Sequence, residues 1–116
     1  MSTDKIFSMP FSRVFPLLIA KAEKEGRIRE EVYQVTEWLT GYTAGQLDGM
    51  LAGAASYGDF IGNMPCPNEN RKKITGSVCE VRLSEIEDPM MLELRYLDKL
   101  VDELARGWSM EKILRR

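Results

Sequence analysis

The chain of 116 residues contains no histidine. That absence removes the commonest general base, the commonest transition-metal ligand and every Ser-His or Cys-His nucleophile pair. Cysteine is scarce too. Cys66 and Cys79 are the only two, too few for a disulfide scaffold and without the paired CxxC spacing of a zinc site. Both are expected to be reduced cytosolic thiols, one buried as a small hydrophobe and one in a loop. No apolar run approaches the length of a membrane span, and "MSTDKIFSMPFSRVF" lacks the basic head and unbroken apolar stretch of a secretory signal. Positive charge is not in excess either: 16 Lys plus Arg against 18 Asp plus Glu leave a net charge of -2, so no broad cationic field attracts nucleic acid. These absences predict a cytoplasmic protein with no membrane contact, no cofactor, no metal site and no nameable catalytic residue.

What the sequence does have is helical periodicity. Its length suits one domain spanning residues 1–116. Val14, Phe15, Leu18 and Ala22 recur at helical spacing, with Ser12 as cap, Pro16 in the first turn and Gly26 as a left-handed stop. Ile28, Val32, Val35, Leu39 and Tyr42 form the next stripe, which Gly41 ends. Thr43 and Gln46 spell a capping box with Tyr42 and Leu47 as its hydrophobic staple. Within "TGYTAGQLDGMLAG", glycines at 41, 45, 49 and 53 stand four apart, which suits one bare helix face and not a phosphate loop. That face is expected to let a neighbouring backbone approach closely. Ser56 caps a short helix through Ile61, which Gly62 and Asn63 close.

"NMPCPNENRKK" has the composition of the main exposed loop. "ITGSVCEVRLSEI" fits two patterns, and helix is favoured over a short strand near 78–83 because a lone strand lacks an evident partner. Asp88 and Pro89 then open the longest helix, with Met90, Leu94, Leu97, Val101 and Leu104 as seam and Tyr96 and Leu100 widening it. Lys99 with Glu103, and Asp102 with Arg106, are expected to pair on its outer face. Ser109 caps a last helix stapled by Trp108 and Ile113. The fold class that follows is all-α: a small orthogonal multi-helix bundle.

The blocks "MSTDKIFSMPFSRVFPL", "WLTGY", "ITGSVCEVR", "EIEDPMM", "RYLDKLVDELARG" and "MEKILR" resemble the bacterial family DUF2200, a domain of unknown function. The resemblance covers most of the chain. It implies a small, largely helical bacterial cytosolic protein, and it brings no catalytic residue that could be carried onto positions here.

Three functional readings remain. Trp38, Tyr42, Tyr57 and Trp108 are the residue types of an interaction surface, which favours a protein partner or a homo-oligomer over catalysis. A small-ligand binder, or an enzyme without histidine or metal chemistry, would have a pocket near the glycine strip lined by Tyr42, Tyr57 and charged groups. Arg71, Lys72 and Lys73 offer a phosphate contact. Glu69 adjoins them and no aromatic residue interleaves for base stacking, so nucleic acid is the weakest of the three. "SEIEDP" places acids where a helix start wants them and needs no metal to explain it.

Overall fold

The structure is a computed structural model describing residues 5–115. Its order is α1 (Lys5–Ser8), α2 (Phe11–Lys24), α3 (Arg29–Thr40), α4 (Ala44–Leu51), α5 (Tyr57–Gly62), strands β1 (Ser77–Val78) and β2 (Val81–Arg82), α6 (Pro89–Ala105) and α7 (Met110–Ile113). The fold is therefore mostly α, as the periodicity predicts, with one two-stranded sheet. No described helix is long and apolar enough to cross a membrane. The first four residues of the "MSTDKIF" block lie outside the described residues.

Local signals fix most boundaries. The Thr43 hydroxyl accepts from the Gln46 amide while the Gln46 side chain accepts from the Thr43 amide, the reciprocal box its sequence spells. Ser56 and Asp59 build a second box at α5. Asp88 accepts from the Met90 amide ahead of α6, and Ser109 accepts from the Lys112 amide ahead of α7. Gly26, Gly41 and Gly107 take positive φ just past helix ends.

The start of α2 works differently from the expectation. Ser12 is not its cap; Pro10 is, without a side-chain bond. The chain instead forms an antiparallel bridge, Pro10 to Ser56, in which Phe11 donates to the Ala55 carbonyl at 2.9 Å and Tyr57 to the Met9 carbonyl at 2.7 Å. Pro16 consequently lies inside the helix, leaving the Ser12 carbonyl without its helical donor. Ser12 is half-buried and Pro16 exposed, so that acceptor lies at the surface side of the helix.

Residues 74–84 do not form a helix. Val78 pairs with Val81 across a two-residue turn in which Cys79 and Glu80 both have positive φ (53° and 65°), and a 3-10 turn, Leu83–Glu85, follows. The strand that seemed partnerless pairs with its immediate successor. Positive φ at two non-glycine residues replaces the usual Asn-Gly turn, so the usual hairpin signal is missing. Within "NMPCPNENRKK", Asn68 caps a second 3-10 turn, Glu69–Lys73, a partly ordered version of the expected loop.

Helix α6 is the spine, packing against α2, α3, α5, α7 and β1. Its seam is buried from Leu94 to Leu104, while Met90 at the first turn stays exposed, as does Ile28 before α3. Around it Phe11, Phe15, Tyr33, Tyr42, Tyr57 and Phe60 form one aromatic cluster. The glycine strip divides. At Gly41 the expected close approach occurs, since a Cβ there would sit 2.7 Å from the Cys66 backbone nitrogen, whereas Gly49 meets nothing within 4 Å and Gly45 only its own cap residue. A further close approach lies outside the strip at Gly58, against the Phe7 carbonyl. Both cysteines are free and exposed, so neither is the buried hydrophobe anticipated.

Glu103 is a further departure. It does not pair with Lys99 on an outer face. It is 0% exposed and receives a two-bond fork from Arg115, at 2.6 and 2.7 Å, while Lys99 donates to the Ser77 carbonyl. Asp102 does pair with Arg106, at 2.8 Å.

Two stability predictions follow from these contacts. Gly49→Ala raises unfolding free energy by up to about 1 kcal/mol, the helix-propensity difference at an open interior site, whereas Gly41→Ala lowers it, because both φ and the Cys66 contact resist a Cβ. Urea titrations of the two variants check the opposite signs. Arg115→Met strands the Glu103 carboxylate and costs about 3 kcal/mol or more. Adding Glu103→Leu recovers most of the loss; a double variant no better than the single would show that the fork is not what holds the C-terminal turn.

Candidate functional site

Polar groups that the fold fails to satisfy mark places where chemistry is left over. Among the described residues one buried side-chain atom has no hydrogen-bond partner, the Tyr57 hydroxyl. Tyr57 opens α5 directly after its Ser56 cap and is 1% exposed. Its ring is held by Phe60 at 5.3 Å and Phe11 at 6.3 Å, centroid to centroid. Burial, helped by the negative charge of Asp98, pushes the phenol well above its usual value, so it stays a neutral O–H donor.

Tyr57 lines a cleft of about 290 Å³ between α1, α2, α5 and α6. Ile6, Val14, Met91 and Leu94 give the cleft apolar walls; Arg95 and Asp98 supply charge. The two charged residues stand three apart on α6, and Arg95 Nη1 donates to Asp98 Oδ2 at 3.1 Å. Burial raises the Asp98 carboxyl above the usual aspartate range, with Arg95 and then Lys21 working against that rise. Lys21 itself sits 3.5 Å from Asp102. An apolar cavity carrying a few convergent polar groups has the composition of a small-molecule site.

The residues singled out in the sequence are not gathered into one place. Tyr57 lines this cleft. Tyr42 is buried against Phe60, its hydroxyl donating to the Phe60 carbonyl at 2.8 Å, so it belongs to the core. Trp38 lies near the end of α3 beside a shallow groove of about 580 Å³ that also touches Gly41, Cys66 and Asn68. Trp108 is tied to the other end of α3, where Arg27 donates to its carbonyl, and Lys112 and Arg115 cover its ring. Arg71 forms a fork with Glu93, at 2.8 and 2.9 Å, and also donates to the Asn68 carbonyl. Lys72 and Lys73 are exposed. Tyr42 and Tyr57 do not meet beside the glycine strip; a groove flanking α4, lined by Arg29, Tyr33 and Asp48, holds a closed chain in which Arg29 donates to the Tyr33 hydroxyl and that hydroxyl donates to Asp48.

Arg95 and Asp98 were missed by sequence reasoning. Their spacing is visible in "RYLD", but charges three apart on a helix are ordinary surface features. What makes them notable is that Tyr57, some forty residues earlier in the chain, packs beside them.

Comparison with known proteins adds family and fold. Residues 5–115 match the model of a family described as an uncharacterized protein conserved in bacteria, DUF2200. The chain is also similar to a solved structure titled "Crystal structure of uncharacterized protein SP1917", with 45% identity, a TM-score of 0.92, and coverage of 96% of this chain and 91% of that one. No curated protein matches.

An unpaired buried hydroxyl leaves a thermodynamic trace. Tyr57→Phe keeps the ring and deletes the orphaned group, so the ligand-free protein gains about 1–2 kcal/mol, within the range for relieving an unsatisfied buried polar atom. Urea unfolding measures it, and a loss of stability would mean that the hydroxyl has a partner.

Proposed function

We propose that this chain, which belongs to the DUF2200 family, is a small-ligand-binding protein whose site is the Tyr57 cleft. The observation that carries the reading is a cleft in which apolar walls meet a charged pair, with Tyr57, whose buried hydroxyl has no partner, in its lining. A bound molecule that fills the cleft takes those apolar walls out of water. The site has no histidine, and its only titratable groups besides Arg95 are a phenol held neutral and a carboxyl in a salt bridge, so binding explains the geometry better than proton-transfer catalysis does. The protein works in the cytoplasm; two exposed, free cysteines suit a reducing compartment.

Thermal unfolding against a panel of small metabolites of every charge class tests this. At least one compound raises the midpoint, since a ligand at 100 times its Kd adds about 2.7 kcal/mol. Met91→Trp, which fills the cleft from its half-buried wall, abolishes the shift. A flat response across the panel would remove the reading.

A further inference from the structure

The polar inventory of the cleft narrows what it takes. A guanidinium carries five N–H donors and a carboxylate about four lone-pair sites. Arg95 and Asp98 spend one of each on the other, and this is the only side-chain hydrogen bond either makes among the described residues. Arg95, with donors unused, and Asp98, with an oxygen unused, therefore line one cleft.

Charge then discriminates between ligands. A simple carboxylate would satisfy Arg95 but bring a second negative charge up to Asp98, whose carboxyl is already short of solvent. A simple amine would satisfy Asp98 but meet the positive charge of Arg95, with Lys21 near enough to act on the same carboxylate. Like charges brought together in a partly buried site are costly, whereas a molecule with one charge of each sign meets both partners and leaves the net charge of the site unchanged. The remaining walls, Ile6, Val14, Met91 and Leu94, accept only apolar surface. At about 290 Å³ the cleft lies at the small end of ligand pockets, which run from about 300 Å³ upward, so the ligand is small.

We propose that the cleft binds a free α-amino acid with an aliphatic or thioether side chain, its carboxylate on Arg95 and its ammonium on Asp98. The proposal rests on the ligand-binding reading above and assigns the chemical class of the ligand. Insertion of the zwitterion replaces the single Arg95–Asp98 bond with bonds from each residue to the ligand, so neither charge is left unpaired.

Calorimetric titration of the unmodified protein with L-leucine and L-methionine, and with the methyl ester and N-acetyl derivative of L-leucine, tests it. The free amino acids bind, and each derivative, lacking one charge, binds at least about tenfold more weakly. In Arg95→Met the gap between leucine and its methyl ester closes; in Asp98→Asn the gap between leucine and N-acetyl-leucine closes. Each variant thus identifies which head group its residue holds, a readout that general destabilisation would not produce. Equal or tighter binding of either derivative to the unmodified protein overturns the amino-acid assignment while leaving the cleft as a ligand site. Absence of binding by all four compounds into the millimolar range also overturns it, and the metabolite panel then decides separately whether the cleft binds anything.

Discussion

The packing of rings around Phe60 is the constraint on which most of the architecture depends. Phe11, Tyr42 and Tyr57 have ring centroids 4.7, 5.2 and 5.3 Å from it, joining α2, the start of α4 and α5 in one contact. At six residues, α5 is far too short to persist by itself. Its capping box sets where it begins, but ring burial keeps it folded, each aromatic pair adding about 0.5–1.5 kcal/mol beyond the area removed from water. Once the Tyr57 ring is wedged between Phe11 and Phe60, the hydroxyl has no freedom to seek a partner. A polar atom is thus positioned by purely apolar forces.

Buried polarity takes two contrasting forms on α6. Glu103 is as deeply buried as any core leucine, yet both oxygens receive a bond from Arg115, and the arginine closes the C-terminal turn over the Trp108 face. Such a pair gains little over an apolar substitute but is expensive to break from one side, so it specifies where the end of the chain docks. Nothing remains for a ligand there. The cleft is the opposite case, where the Arg95 guanidinium and the Asp98 carboxylate share a single bond and keep unused capacity.

Signals confined to three or four residues were legible in the sequence. The box at Thr43, the cap at Ser56, the Asp88-Pro89 start and the glycine stops after α2 and α3 depend only on local backbone geometry, and all are realised. What depended on a distant partner was not. The Pro10–Ser56 bridge overrode Ser12 as a cap because two backbone bonds to residues 55–57 outweigh one side-chain bond. Gly45 and Gly49 lie open because spacing reveals that a face is bare, not that anything lies against it. Tyr42 and Tyr57 had the composition of surface anchors, and only the position of Phe60 shows them to be core. For Glu103 a signal existed: it continues the line of Tyr96 and Leu100 at helical steps, which places it on the buried side, although the four-residue spacing from Lys99 suggested a surface pair. In the cleft, Tyr57 was legible as a residue type, whereas Arg95 and Asp98 gain meaning only through long-range packing.

The incomplete pairing in the cleft has a simple geometric origin. The other half-buried arginine pairs, Arg27 with Glu31, Arg71 with Glu93 and Arg115 with Glu103, are all two-bond forks, and all use glutamate. Arg95 faces an aspartate, one methylene shorter and only three residues along the same helix, and a single bond of 3.1 Å results. A side chain that short cannot swing both oxygens toward a guanidinium rooted one turn away on the same helix. The single bond is therefore built into residue choice and spacing. Tyr57, whose hydroxyl is the one buried side-chain atom without a partner among the described residues, lines the same cleft as this single-bonded pair, whereas the half-buried arginine–glutamate pairs are closed forks.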